Sequence, residues 1–497
     1  MKYSISAGHE ETLAAAKEVL RAGGNAVDAA IAAYWMAFVA EPCMASAGAG
    51  GFALVHQANE GIKMVDFFCQ TPIKKIKEAD LDFYPITVDF GPTTEDFYVG
   101  NGSMATPGAI SGIYAMHQQW GTVPMPILAE QAIHKAKNGL ALNTFQAMDL
   151  ALLKDIFSIS PRSRDIFFNG EEIKKEGDEI YMLEFADFLD NLSKEGPDLF
   201  YKGEIAQRIV NNGKERGGSL TLDDLSNYRT IFRKPMSFQW DNHEVITTAY
   251  PSSGGAILAA FLKRFEQEAS HKIHHNSSRH FDALVSVNQF VNTIKDNDSA
   301  IQQYLKEEFN IHIETLNKNP NTSGTSHFNI VDKNGMAVAL TTSIGEGCGY
   351  FIEGTDMQMN NMLGEGALLP NGFHSWIENT RLRSMMTPTM VKKDRKLCLV
   401  TGTGGAGRIP FMLAQTLINA LHFGLPLEAA VHSPKLYFDG NEIQVEKGFD
   451  YQLRDEFELK EWSDPSLYFG GTHSVKLYTD YMEAIGDRRR FGVGENG

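Results

Sequence analysis

Gly324 and Thr325 are the residues whose types and positions most directly suggest chemistry, because they come just before a predicted β-hairpin. Two alternating runs, 327–332 and 336–342, joined by an Asn-Gly turn, indicate the hairpin. The Thr325 hydroxyl can attack the Gly324 carbonyl carbon, and hydrolysis of the resulting ester would cut the chain. The freed α-amine of Thr325, with an ordinary pKa of about 8, could then accept the proton of its own hydroxyl. Thr325 would thus supply both nucleophile and base.

A glycine-rich stretch, TGTGGAGRI at residues 401–409, is the second candidate for chemistry. We expect the adjacent Gly404 and Gly405 to lie in a turn, where their backbone N–H groups can stabilise a developing oxyanion. The same stretch satisfies GxGxxG, which is typical of dinucleotide-binding folds. That alternative is disfavoured, because no acidic residue follows at the spacing of about 20 residues that such folds use.

Four histidines close together in the sequence raise the question of a metal site. They are His271, His274, His275 and His280. Imidazoles at such spacings can share a helix face and bind zinc or nickel. No carboxylate or cysteine completes the set, and the surrounding Asn and Ser residues are typical of a loop. We therefore expect no metal, and the threonine chemistry requires no cofactor.

The composition is that of an ordinary soluble globular protein, with 497 residues and 43% hydrophobic content. A net charge of −17 disfavours nucleic acid and anionic membranes as partners. Neither a secretory apolar segment nor a stretch of roughly 18 apolar residues is found. Four dispersed cysteines indicate reduced thiols. We expect a cytoplasmic location.

Helices and strands alternate along the chain without a linker, an internal repeat or a low-complexity tract. Residues 10–21 have the pattern of an amphipathic helix, and residues 26–39 that of a helix buried on all sides. Thr221 is expected to cap a further helix. A strand over 243–250 precedes another apolar helix. This order predicts a mixed α+β protein.

Short motifs that recur in one order extend over nearly the whole chain. They are AGGNAVDAAIAA (22–33), ATPGAISG (105–112), LFYKGEIAQRIV (199–210), LTLDDLSNYR (220–229), PSSGG (251–255), GTSHFNIVDKNGMAVALT (324–341), MNNM (359–362), SMMTPT (384–389) and TGTGGAGRI (401–409). Together they resemble the γ-glutamyltranspeptidase family of N-terminal-nucleophile hydrolases. Colinearity of so many motifs is much harder to obtain by chance than any single motif.

The resemblance implies a four-layer αββα sandwich and a precursor that cuts itself before Thr325. The large segment 1–324 and the small segment 325–497 would remain together as one heterodimer. It also implies transfer of an acyl group, γ-glutamyl as in glutathione or a similar group, from a small amide or peptide to water or an amine. No cofactor is implied, and a higher oligomer is left open.

The catalytic positions of the family are matched in this chain. Thr325 matches the nucleophile, and Gly324 precedes it at the cleavage site. Ser343 stands where the family usually has a second threonine that hydrogen-bonds the first, and serine keeps the hydroxyl. Gly404 and Gly405 match the glycines that bind the oxyanion.

Two positions that bind substrate in the family are changed. Phe68 stands where the family holds the glutamyl α-carboxylate with an arginine, and Gly345 replaces an asparagine. A carboxylate buried opposite Phe68 would lose a charge-assisted partner, at a cost of several kcal/mol. Three arginines could supply the cation from another direction or serve only in structure: Arg381, Arg383 and Arg408.

Other substrate positions are partly matched. Ser384 matches the first of two adjacent serines, but Met385 replaces the second. After Asn361, the polar and acidic positions of the family become Met362 and Glu365. Of these two, only Glu365 could accept an ammonium group.

Two alternatives to a γ-glutamyl enzyme remain open. The first is an acylase of the same family that acts on a glutaryl or other carboxyacyl amide, which would explain the altered pocket. The second is an inactive family member that serves as a binding protein. Self-cleavage separates them, because an inactive scaffold has no reason to cut itself.

Overall fold

The computed structural model describes residues 3–89, 94–269, 273–311, 324–365, 372–440, 442–452 and 457–497. The helices are α1 Glu10–Arg21, α2 Ala26–Ala40, α3 Ala109–Trp120, α4 Met125–Asn138, α5 Thr144–Leu152, α6 Lys154–Phe157, α7 Pro161–Phe167, α8 Leu183–Glu195, α9 Asp198–Tyr201, α10 Glu204–Glu215, α11 Leu222–Asn227, α12 Gly254–Glu268, α13 Ser278–Ile294, α14 Asp298–Phe309, α15 Ile409–Leu417 and α16 Leu427–His432. Within these described ranges, no helix has the length and apolar character needed to cross a membrane.

The strands range from two to nine residues. They are β1 Tyr3–Ala7, β2 Gly50–Gln57, β3 Gly61–Phe67, β4 Tyr84–Asp89, β5 Thr94–Val99, β6 Leu140–Ala141, β7 Phe168–Asn169, β8 Glu172–Ile173, β9 Glu179–Ile180, β10 Ile231–Arg233, β11 Met236–Trp240, β12 His243–Thr247, β13 Thr325–Asp332, β14 Ala337–Ser343, β15 Phe351–Ile352, β16 Met357–Gln358, β17 Thr389–Lys393, β18 Lys396–Gly404, β19 Leu436–Phe438, β20 Glu442–Glu446, β21 Glu458–Trp462, β22 Gly471–Leu477, β23 Met482–Ile485 and β24 Val493–Asn496.

The first two helices form where the sequence predicts them, and both begin with a side-chain cap. The ring of His9 accepts a hydrogen bond from the backbone N–H of Glu11 at the start of α1. α2 begins with a capping box in which the side chains of Asn25 and Asp28 accept each other's backbone N–H groups. Every residue of α2 is buried, as expected of a helix that is apolar on all sides.

Two antiparallel sheets form the centre of the molecule. One has seven strands in the order β10-β3-β2-β14-β13-β1-β24, and the other has six in the order β11-β12-β17-β18-β22-β23. β13 packs against β18 and β22 across the interface between the sheets. α2 covers β13 and β14 on the outer side, while α15 and α16 cover β18 and β22. The layer order helix, sheet, sheet, helix confirms the predicted αββα sandwich.

The hairpin of β13 and β14 is buried on both faces, because it lies in the middle of this sandwich. Val338 and Leu340 belong to the hydrophobic core that contains α2, whereas Ala337 and Ala339 belong to the core shared with the second sheet. This alternation is the two-residue period of a strand. β13 begins at Thr325 itself, which is earlier than the sequence pattern predicts.

Candidate active site

Gly324 and Thr325 lie at the start of β13, inside the seven-stranded sheet. Gly324 has a φ of +48°, and a Cβ atom there would lie 1.8 Å from the carbonyl oxygen of Gly345. Only glycine fits that position. Ser343 is directly opposite Thr325 on β14, and its hydroxyl donates a hydrogen bond of 2.9 Å to the Gly324 carbonyl. The carbonyl that Thr325 would attack is therefore polarised in advance.

The Ser343 hydroxyl is itself held in orientation by the backbone. The N–H group of Gly345 donates to the Ser343 oxygen over 3.0 Å, while the Ser343 proton is directed to Gly324. Ser343 is fully buried, so bulk water does not compete for these bonds. The side chain predicted to assist the nucleophile is thus brought to the cleavage peptide.

Arg490, from the last part of the chain, lies against the candidate nucleophile. Its Nη1 donates to the Thr325 carbonyl over 2.7 Å. A Cβ atom at Gly404 would lie 2.6 Å from that same nitrogen, so the guanidinium packs against Gly404. Because Arg490 is buried, its charge acts in a poorly solvated region.

Two buried carboxyl groups accompany this arginine. Glu41, which follows α2, accepts a hydrogen bond of 2.6 Å from the Ser326 hydroxyl. Burial raises the pKa of Glu41, and burial also raises the pKa of Asp149 to about 6, although the charge of Arg490 opposes that rise. Asp149 shares a hydrogen bond with Cys43. A polar cluster therefore lies beside the first residues of β13.

Gly404 lies beside Thr325, and Gly405 follows the end of the strand. β18 continues through Gly404, which pairs with Gly471 of β22, so the prediction of a turn at both glycines is wrong for Gly404. A Cβ atom at Gly404 would lie 2.4 Å from the Thr325 carbonyl oxygen. Gly405 has a φ of +124°, and a Cβ atom there would lie 2.8 Å from the Cα atom of Gly470. Close approach of backbone to backbone explains both glycines.

Glu346 and Glu365 form a buried carboxyl pair next to Gly345. A Cβ atom at Gly345 would lie 2.7 Å from Oε1 of Glu365 and 2.0 Å from Oδ1 of Asn361. Burial raises the pKa of Glu346 well above its ordinary value, and the charge and hydrogen bond of Glu365 raise it further. The proximity of the two carboxyl groups therefore disfavours ionisation of Glu346. The predicted residues Asn361 and Glu365 thus lie against Gly345, which in turn packs against Gly324.

Asn361 connects this carboxyl pair to a neighbouring strand. Its Oδ1 accepts the backbone N–H of Glu346 over 3.0 Å, and its Nδ2 donates to the carbonyl of Tyr98 over 3.3 Å. Met362, the next residue, is fully buried in the core shared by the two sheets. Asn361 therefore fixes the position of Glu346, whereas Met362 provides apolar packing.

Ser384 lies in a tightly hydrogen-bonded turn. Its hydroxyl oxygen accepts the backbone N–H of Met386 over 3.0 Å, and its carbonyl accepts the backbone N–H of Ser253 over 3.0 Å. Met385, at the position of the family's second serine, is buried in the same core as Met362. The hydroxyl pair of the family is therefore reduced to one hydroxyl and one apolar side chain.

Phe68 is fully buried, and its ring stacks on Phe52 with centroids 5.5 Å apart. A Cβ atom at Gly50 would lie 3.0 Å from the carbonyl carbon of Phe68, and Gly50 pairs with Ser343. Position 68 is thus close to the end of the hairpin that carries the candidate nucleophile. It presents an apolar ring there instead of a cation.

The three arginines that could replace the family cation are in different environments. Arg381 donates to the carbonyl of Phe68 and lies 3.7 Å from the carboxylate of Asp66, so it supports the backbone around Phe68. The guanidinium of Arg408 lies 4.1 Å from the centre of a tyrosine ring. Arg383 is buried. Arg381 therefore has a structural role, which was the alternative to substrate binding for these arginines.

The alternatives to threonine chemistry find little support. His271 lies outside the described residues, and the rings of His275 and His280 are 5.7 Å apart. Among the residues that the structure describes, no group of three His, Cys, Asp or Glu side chains could hold a metal ion. β18 is antiparallel to both of its neighbours, whereas a dinucleotide fold requires parallel strands at its glycine-rich turn.

Sequence reasoning did not find Glu346, Arg490, Asp149 or Glu41. Arg490 is 165 positions from Thr325, and no motif connects the two. Glu346 could have been noticed, because it directly follows Gly345, where an asparagine had been expected. Asp149 and Glu41 can be recognised as part of the site only in the folded structure, where both lie near Arg490.

Comparisons with known proteins identify relatives along nearly the whole chain. Residues 13–496 match the model of the family described as gamma-glutamyltranspeptidase. The glutathione hydrolase proenzyme of Escherichia coli (strain K12) is 27% identical over 483 residues, covering 89% of this chain and 82% of that protein. Among solved structures, cephalosporin acylase from Bacillus halodurans has a TM-score of 0.83 at 21% identity, covering 99% of this chain and 95% of that one. The γ-glutamyltranspeptidase of Helicobacter pylori has a TM-score of 0.53 at 28% identity, covering 62% and 91%.

A threonine at the start of a central strand of an αββα sandwich, with a hydroxyl group bound to the preceding carbonyl, defines the class of protein. It is an N-terminal-nucleophile hydrolase, an enzyme that transfers acyl groups. Within that class the match covers almost the whole sequence, and the chain belongs to the γ-glutamyltranspeptidase family.

Proposed function

We propose that the chain cuts itself between Gly324 and Thr325 and then uses Thr325 to take an acyl group from an amide. The observation that carries this proposal is the 2.9 Å hydrogen bond from Ser343 to the Gly324 carbonyl. It activates the carbonyl for attack from the adjacent hydroxyl. The name of the Escherichia coli relative, a proenzyme, further supports processing into segments 1–324 and 325–497.

The reaction after cleavage follows from the same residues. The α-amine of Thr325 accepts the hydroxyl proton while Oγ1 bonds to the carbonyl carbon of the substrate amide. The N–H groups of Gly404 and Gly405 receive the oxyanion. The leaving amine departs with the proton, and an acyl ester on Thr325 remains. Water or an acceptor amine then attacks the ester and releases the threonine without any cofactor.

A γ-glutamyl group, as in glutathione, is the first choice for the acyl group. Membership of the family and the name of the Escherichia coli relative, a glutathione hydrolase, support it. Glu365, with Glu346 beside it, would accept the α-ammonium of that group. The substrate would be a small amide or peptide.

A second candidate is an acylase that removes a glutaryl or similar carboxyacyl group without an α-amino acid. The apolar Phe68 favours it, because a γ-glutamyl α-carboxylate would meet a stacked ring where the family has a cation. The engagement of Arg381 with the Phe68 carbonyl and Asp66 further weakens the γ-glutamyl choice.

Paired substrates test these two candidates. Purified protein would be given γ-glutamyl and glutaryl anilides at equal concentrations, with the Thr325→Ala variant as the control for background hydrolysis. Faster release of aniline from the γ-glutamyl substrate supports the transpeptidase, and faster release from the glutaryl substrate supports the acylase. No release above the variant from either substrate would contradict both and favour the inactive binding protein.

A further inference from the structure

Arg490 directly contacts the residue that carries the candidate nucleophile. Its Nη1 is 2.7 Å from the Thr325 carbonyl oxygen. The nitrogen and carbonyl oxygen of one residue lie on the order of 3 Å apart by covalent geometry. The guanidinium is therefore within about 6 Å of the atom that becomes the α-amine after cleavage, near enough for its charge to influence that amine.

The charge of Arg490 is incompletely neutralised. Among the residues that the structure describes, no carboxylate oxygen lies within ion-pair distance of its guanidinium. The ionisable groups within electrostatic range are Asp149 on α5, Glu41 after α2, Arg408 before α15, His473 on β22 and Asp487 before β24. Asp487 instead forms an ion pair with Arg489, whose Nη1 lies 3.1 Å from the Asp487 carboxylate. Arginine remains protonated near neutral pH even when it is buried.

We propose that Arg490 is a positioning residue that fixes the main chain of Thr325 and keeps its α-amine in the neutral form that accepts a proton. This inference rests on the proposed function, since the amine exists only after self-cleavage. The hydrogen bond holds the Thr325 carbonyl against Gly404, one of the two glycines proposed to receive the oxyanion.

The direction of the electrostatic effect is fixed by the sign of the charge. A nearby cation disfavours a second cation, so Arg490 lowers the pKa of the Thr325 amine below its ordinary value of about 8. Burial raises the pKa of Asp149 to about 6, and its carboxylate, when ionised, acts in the opposite direction. The acidic limb of the pH profile, where the amine becomes protonated, should therefore respond to both residues.

The test is the pH profile of kcat/KM for anilide hydrolysis by the processed protein. In Arg490→Gln the acidic limb is expected to move to higher pH by roughly one unit. Arg490→Lys keeps the charge, so its limb should stay near that of the wild type even if kcat falls. Arg488→Gln, at an exposed arginine two positions away, is the matched control and should leave the limb unchanged.

A purely structural role predicts a different result. Arg490→Gln would then lower kcat without moving the limb, and that outcome overturns the inference. If Arg490→Gln does not cut itself, Asp149→Asn decides the matter with Arg490 in place. A limb that moves to lower pH supports the inference, whereas a limb that stays or disappears contradicts it. An uncut or inactive wild-type protein would instead contradict the proposed function.

Discussion

At the scale of single residues, the proposed self-cleavage depends on how the Gly324 carbonyl is held. Gly324 takes a left-handed conformation that packs it against Gly345, and Ser343 donates to its carbonyl. The hydrogen bond of Ser343 strengthens as negative charge develops on that oxygen, so it lowers the barrier to attack. Glycine is required at 324 because a Cβ atom would meet the Gly345 carbonyl, and at 345 because a Cβ atom would meet the Asn361 side chain.

Ser343→Ala is expected to slow self-cleavage by about 100-fold, because it removes one donor from the developing oxyanion. Ser343→Thr keeps the hydroxyl on the same strand and is the matched variant, for which cleavage near the wild-type rate is expected. The fraction of cut chain over time, followed by denaturing electrophoresis, measures both. Wild-type kinetics in the alanine variant would show that the hydrogen bond is dispensable.

Gly405→Val is expected to reduce turnover by at least 100-fold while the protein stays folded, because a side chain there displaces the backbone of the oxyanion site. Gly440→Val is the control, since Gly440 has a similar φ of +117° with nothing within 4 Å of its Cβ position. Anilide hydrolysis and the melting temperature would be measured for both. Turnover of Gly405→Val within tenfold of the wild type would contradict the role of the glycine pair.

Residue types and local order were enough to propose Thr325 and the glycine pair, whereas Ser343 was proposed only from the family resemblance. They were insufficient for Arg490, since a contact across 165 positions leaves no local pattern. The environment of Phe68 likewise could not be predicted from the sequence. Its replacement of an arginine is visible in the sequence, but its stacking on Phe52 requires the fold.

At the scale of elements, the hairpin of β13 and β14 holds Thr325 and Ser343, the two hydroxyl residues of the candidate site, at its open end. Its alternation of apolar side chains and its Asn-Gly turn predicted it from sequence. The turn predicted at Gly404 was wrong, because β18 continues through glycines that have low strand propensity. Pairing with β22 overrides that local preference.

Leu340→Ala is expected to destabilise the protein by roughly 2–5 kcal/mol, because Leu340 is fully buried under α2 and its removal leaves a cavity. Ile127→Ala, on α4, is the control, because its side chain is 55% exposed and should change stability by less than about 0.5 kcal/mol. Denaturant unfolding measures both. Equal stability of the two variants would mean that the hairpin is not tightly packed.

At the scale of the whole molecule, the two segments on either side of the cleavage site are interleaved in both sheets. In the seven-stranded sheet, β14 and β13 of the small segment lie between β2 and β1 of the large segment. In the six-stranded sheet, β12 of the large segment pairs with β17 of the small one. The αββα class was predicted from the family resemblance, whereas this interleaving follows only from the observed strand order.

The cut protein is therefore expected to remain a heterodimer, because separation of the segments would break the ladders of both sheets and expose both cores. Size-exclusion chromatography would detect it as one species under native conditions, and as two only in denaturant. Elution of a free segment under native conditions would contradict the heterodimer.

The most direct measurement is an intact-mass spectrum of the purified protein beside its Thr325→Ala variant, with Ser326→Ala as a second comparison. Two fragments that account for the whole chain, one of them beginning at Thr325, are expected for the wild type and for Ser326→Ala but not for Thr325→Ala. A single uncut mass in the wild type, or equal cleavage in Thr325→Ala, would contradict Thr325 as the self-cleaving nucleophile.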